Sequence, residues 1–183
     1  MGSSYLYLLP LTVFVLFPST FIITYTLSVL LHHTEPDFPY ISDTGTYSPE
    51  SCIFGQALNL GALVIFITIY VRYRQIKELY HNHSTSSHIV KLNRLGLLIG
   101  SLAALGISLV ANFQETNVFF VHITGALMAF GLGTVYIWVQ VREKIFLFVC
   151  IIVIWSEGDC CSAVVQTLAL RDYRPLIEPT VER

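Results

Sequence analysis

Apolar and polar positions fall in long blocks along this chain. Residues 5–31 carry no charged side chain. Residues 52–71, 95–111 and 118–141 are similarly apolar, the last run interrupted only by His122 and Gln140. A helix rises ~1.5 Å per residue and a bilayer core is ~30 Å thick, so runs of this length are suited to crossing a membrane. The pattern predicts an all-α polytopic transmembrane helix bundle with four spans. A fifth run, 145–155, falls short of the ~17 residues a span needs, and prolonging it would draw Glu157 and Asp159 into the core. The predicted transmembrane helical domain is therefore 1–155. The polar tail 156–183, with Pro175 and Pro179, is expected to lack order. Pro10 and Pro18 lead us to expect that the first helix starts near Leu11 or kinks at Pro18.

Composition agrees with lipid as the solvent. The chain is 54% hydrophobic and 12% charged, against roughly 25% charged in soluble domains. A net charge of −2 gives no field that would attract nucleic acid. The expected partners are the bilayer itself and proteins or lipids within it. The placement of charge says more. Arg72, Arg74, Lys77, Lys91 and Arg94 lie between the second and third runs, and Arg142 and Lys144 follow the fourth. The intervening loops, 32–51 and 112–117, hold acids and no Lys or Arg. The positive-inside rule then predicts a cytosolic N-terminus, a cytosolic second loop, and first and third loops facing the lumen or the outside. With the fifth run not crossing, all 10 Lys and Arg fall on one side. The glycosylation sequon Asn82-His83-Ser84 would lie in the cytosol and go unused.

Candidate chemistry is sparse. Cys52, Cys150, Cys160 and Cys161 lack zinc-site spacing, and no nucleophile-elbow motif occurs, so neither a metal nor a cofactor is expected. Small residues recur every four positions as Gly96, Gly100, Ala104 and Ser108, and again as Gly125, Ala129 and Gly133. That spacing lets helices approach closely in lipid. Gln56, Asn59 and His122 are polar within spans, which marks interhelical hydrogen bonds or a functional pathway. Gln56 and His122, each about a turn below the same membrane face, are placed to meet. Asp43, Glu50, Asn112, Gln114, Glu115 and His122 all map to that face. Asp43-Thr44-Gly45 suits a turn closed by the Asp side chain. The segment reads either as a cap on the bundle or as a recognition surface.

The stretch Phe38-Pro-Tyr-Ile-Ser-Asp-Thr-Gly-Thr-Tyr-Ser-Pro-Glu50, with Ile53-Phe54-Gly55 and Asn59, resembles the hallmark of the DRAM family, the damage-regulated autophagy modulators. Tyr70-x-Arg72-Tyr73, Val110-Ala-Asn-Phe-Gln-Glu115, Val121-His122 and Gly125-Ala126 follow in the family's order. Lys91-Leu92-Asn93 with Gly96-Leu97 is most similar to the second DRAM-type branch. The resemblance implies a non-enzymatic membrane protein of lysosomes and endosomes that promotes autophagy and stress-linked cell death. It marks Pro39, Tyr40, Ser42, Asp43, Thr44, Gly45, Pro49, Glu50, Asn112, Phe113, Gln114, Glu115 and His122 as signature residues. A sister branch acts at the plasma membrane, helping recruit a phosphoinositide kinase complex, so a scaffold working through the basic second loop is one alternative. A lipid-handling enzyme using Asp43, Glu115 and His122 is another. The family has six helices, and its pattern stops at Gln140 here. The run 145–155 looks like a remnant of helix 5, and Ser156 onward matches nothing in the family. In the tail, Tyr173-Arg-Pro-Leu176 resembles a tyrosine-type sorting signal, and Cys160-Cys161 could carry palmitate from a cytosolic position.

Overall fold

The computed structural model describes residues 5–37, 39–81 and 87–142. The fifth run, the tail, the sequon at Asn82 and the Cys160-Cys161 pair lie outside them. Four helices follow in order: α1, Leu8–Leu30; α2, Glu50–His81; α3, Ser87–Asn112; and α4, Phe119–Arg142. All four are long and apolar enough to cross a membrane, and the described residues contain no strand. A 3-10 turn, Asp43–Gly45, lies in the α1–α2 loop.

Local chemistry explains most boundaries and corrects two expectations. α1 begins at Leu8, before Pro10, because a proline in the first turn removes an N–H that has no helical partner anyway. Pro18 sits inside α1 without ending it. α1 stops where His32 adopts φ 58°. His33 N–H then bonds the Ser28 carbonyl at 2.9 Å and His32 N–H bonds Val29 at 3.1 Å, which forms a Schellman cap. The left-handed position usually belongs to glycine, and the cap turns His33 back toward the bundle.

The second correction concerns the basic segment, which is largely helix. α2 continues past Val71 through the charged stretch to His81, and α3 starts as early as Ser87. Ile69 and Ile76, seven residues apart, keep one face of α2 buried, and Ile89 and Asn93 do the same for α3. Helix-forming residues and an Arg74–Glu78 pair at 3.2 Å support the exposed side.

Within residues 5–139 the helices pack chiefly on their sequence neighbours, α1 on α2, α2 on α3 and α3 on α4. The distribution of side chains is that of a membrane protein. The buried residues of α1 are Thr20, Thr24 and Ser28, four apart, whereas Phe14, Ile22 and Leu30 are exposed. On α4, Phe130 is 78% exposed and Trp138 is similarly bare, while His122 and Gly125 are buried. In lipid the apolar rings meet a solvent as apolar as themselves, so on α1 and α4 burial falls to groups that need hydrogen bonds or close approach, while α2 and α3 also bury apolar side chains such as Leu58, Ile69 and Ile89.

α3 and α4 approach closely enough for backbone to face backbone. A Cβ on Gly106 would stand 2.6 Å from the Ala129 nitrogen and the Gly125 oxygen, and one on Gly125 would stand 2.8 Å from the Leu109 Cβ. Gly100 meets Ile69 and Tyr136, Ala104 is buried, and Gly96 is buried on the same stripe. Gly133 does not pack: nothing lies within 4 Å of its Cβ position. Crossing helices diverge from their point of contact, and farther along α4 the Tyr136 ring spans the gap to Gly100. A π-helical segment, Leu127–Leu132, lies in α4 between the two. Gly106, off the expected stripe, takes the role expected of Gly133.

Candidate functional site

The signature residues gather at one end of the bundle, where the α1–α2 loop meets the α3–α4 turn. The loop folds by its own chemistry first. Asp43 Oδ2 accepts the Tyr40 N–H at 3.0 Å, and the Gly45 and Thr46 N–H groups bond Ser42 and Asp43 carbonyls at 3.1 and 3.2 Å. Thr46 Oγ1 donates to the Ser42 carbonyl at 3.1 Å. The turn packs on the helices through Gly45, whose Cβ position is 2.6 Å from the Phe54 ring, so only glycine fits. Phe54 is buried against Phe21 of α1, ring centroids 6.2 Å apart. Thr44, also buried, donates to the Ile41 carbonyl at 2.8 Å and lies 3.2 Å from the buried Thr24 hydroxyl of α1. Ser28 of α1 hydrogen-bonds Thr34 in the same way. Tyr40 at the loop tip and Pro49 before α2 are exposed, and Pro39 is partly buried.

Two carboxylates tie this loop to the bundle. Glu50, the first residue of α2, is 0% exposed. Its Oε1 accepts from His33 Nδ1 at 2.7 Å, and its Oε2 has no partner. The α2 N-terminus, with its outward N–H groups, favours negative charge there. The His33 ring also lies against Tyr47, centroids 5.1 Å apart. The second tie joins distant segments: Ser42 Oγ donates to Glu115 Oε2 at 2.6 Å. His122, buried in α4, donates from Nδ1 to the Phe113 carbonyl at 2.7 Å, which leaves Nε2 4.0 Å from the same Glu115 oxygen. The α3–α4 turn is held by Gln114, whose carbonyl accepts the Asn117 and Val118 N–H groups at 3.2 and 3.0 Å.

A third network lies just inside the spans. Asn59 of α2 and Asn112 of α3 exchange amide bonds in both directions at 3.1 Å. Ser108 Oγ donates to Asn59 Oδ1 at 2.7 Å, and Asn59 Nδ2 also reaches the Gly55 carbonyl at 2.9 Å. Reciprocal bonding lets the two amides satisfy each other across the α2–α3 contact.

The structure thus separates residues the sequence had grouped. Gln56 is exposed on α2, and His122 meets Phe113 and Glu115 instead of Gln56. Asp43 closes its own turn, and Ser42 is the loop residue that reaches Glu115. The sequence reading missed His33, Gly61 and Gly106. Gly61 stands directly against Phe17 of α1. For Thr24 and Ser28 a signal existed, hydroxyls four apart in an otherwise apolar helix. For His33 there was none, because only the Schellman cap aims it at Glu50. Among the described residues no group of three His, Cys, Asp or Glu side chains could hold a metal ion.

Comparison with known proteins supplies the context. Residues 5–156 match the family model described as Frag1/DRAM/Sfk1/Cwh43P N-terminal domain. The chain is 48% identical over 122 residues to the human DNA damage-regulated autophagy modulator protein 2, covering 67% of this chain and 45% of that protein. The Rattus norvegicus protein of that name is 49% identical with the same coverage. The modulator of macroautophagy TMEM150B-B of Xenopus laevis is 47% identical over 103 residues, 56% of this chain and 42% of that one. The chain therefore spans about half the length of the curated relatives it matches. No solved structure matches it.

Proposed function

The chain belongs to the Frag1/DRAM/Sfk1/Cwh43P family, and from that premise we propose that it is a lysosomal multi-pass membrane protein that promotes autophagy and stress-linked cell death without enzymatic chemistry. The observation that carries this reading is the 48% identity over 122 residues to a DNA damage-regulated autophagy modulator. The geometry supports a non-catalytic role for that loop. Asp43, Glu50, Glu115 and His122 each engage a structural partner, and the site reads as a cap that closes one end of the bundle. In this reading the cap faces the lumen and the N-terminus the cytosol, as the charge asymmetry favours. The test is autophagic flux after removal of the protein, with its compartment followed by microscopy. Reduced flux and lysosomal residence are expected; unchanged flux contradicts the regulatory role. If Ser42→Ala and His122→Ala abolish function with the protein still folded and correctly sorted, the non-enzymatic assignment fails.

A further inference from the structure

At the opposite end of the bundle, α2 and α3 run side by side past the apolar runs, and between them lies a small cavity of about 30 Å³. Its lining is Tyr73, Ile76, Lys77, Val90, Asn93 and Arg94. The floor is fixed: Ile76 is 2% exposed, and Asn93, 4% exposed, donates its amide to the Tyr73 carbonyl at 3.0 Å and so pins α3 to α2. The rim carries one cation from each helix, Lys77 and Arg94, both exposed. Neighbouring Arg74 is paired with Glu78. Lys77 and Arg94 have no ion pair among the described residues.

We propose that this cleft binds the phosphate of an anionic lipid headgroup, held between Lys77 and Arg94. Depth favours a lipid as the source. Arg94 immediately precedes the apolar run 95–111, and Lys77 lies within two helical turns of the end of 52–71. The headgroup layer adds roughly 5–8 Å on each side of the hydrocarbon core, and a Lys or Arg stem reaches along apolar surface to place its charge at that level. The cavity is too small for a whole headgroup. It admits one oxygen or methylene beside Ile76 and Val90 while the phosphate rests on the rim. Two cations from different helices, spaced by the Asn93 bond, make a site that a diffuse basic surface does not. The proposal is independent of the autophagy reading.

The test uses the purified full chain in neutral detergent. Retention of dioleoyl phosphatidic acid is compared with that of dioleoyl phosphatidylcholine by native mass spectrometry. A direct, solvent-exposed ion pair contributes up to about fivefold, so K77Q and R94Q are each expected to lower the preference for phosphatidic acid by up to about that factor. K91Q removes the same charge outside the cavity, where solvent screening weakens its reach to the phosphate, and should leave the preference within about twofold. Equal losses in all three variants, or no preference in the parent chain, overturn the proposal. Displacement of the lipid by millimolar inorganic phosphate that binds by itself makes the ligand a soluble phosphate and overturns the lipid assignment. If a variant does not fold, the parent chain still decides: its preference must fall as salt rises, and a salt-independent preference contradicts the site.

Discussion

The two ends of this bundle are built on opposite principles. At the loop end, polar groups are answered one by one, the fully buried Glu50 by His33 and the buried Thr44 by Thr24, the half-buried Glu115 by Ser42 and Asn59 by Asn112. At the basic end the polar groups are exposed and mostly charged, and the helix contact rests on Ile76, Ile89 and one amide bond from Asn93. The first end holds its shape through specific side-chain hydrogen bonds, the innermost of them at Glu50 and Thr44 shielded from solvent. The second presents charge to whatever lies at the membrane surface. A perturbation of equal chemical size should therefore cost far more at the loop end.

The largest effect is expected from His33→Ala, which strands a wholly buried carboxylate. Leaving a buried group without its hydrogen-bond partner costs up to about 3 kcal/mol, visible as a lower unfolding midpoint in detergent. Glu50→Gln should cost much less, since an amide oxygen still accepts from His33; equal losses would show that the pair is not what holds the loop. Next is the helix contact that joins the two ends. Gly106→Val should cost about 2 kcal/mol by overpacking against α4 backbone, whereas Gly133→Ala, facing open space, should be neutral or gain up to about 1 kcal/mol. The same thermal measurement separates them, and a damaging Gly133→Ala would mean the helices do not diverge as described. Asn59→Leu should cost about 1 kcal/mol, the scale of interhelical hydrogen bonds in membranes. Smallest of all, Arg74→Gln at the basic end should change stability by less than about 0.5 kcal/mol, because its pair with Glu78 is exposed.

The same contrast explains what could be read from the chain. Spans, loop order and charge asymmetry are block properties, visible as runs of one solvent preference. The signature turn was legible because Asp43 and Gly45 carry local turn chemistry. The continuation of α2 to His81 was hidden, because Arg72 to Glu78 reads as polar loop when only the membrane run is weighed. Its helical face appears once Ile69 and Ile76 are seen as one stripe. The partner of Glu50 was not legible at all, since His33 reaches it through a left-handed residue at His32 that composition would assign to glycine. Gly106 escaped because it lies off the four-residue stripe that contains Gly100 and Ala104. Close approach is decided by the crossing point, which spacing alone does not locate.

The central claim is that residues 39–50 form a folded cap fastened to the bundle through Glu115 and Glu50. Hydrogen exchange of the full chain in detergent, followed by mass spectrometry over that segment, tests it most directly. The Gly45 and Thr46 amides, bonded to Ser42 and Asp43, should be protected in the parent chain and exchange at least tenfold faster in Glu115→Ala, while peptides from the middle of α3 stay unchanged. Free-chain exchange across 39–50 in the parent, or no response to Glu115→Ala, would contradict it.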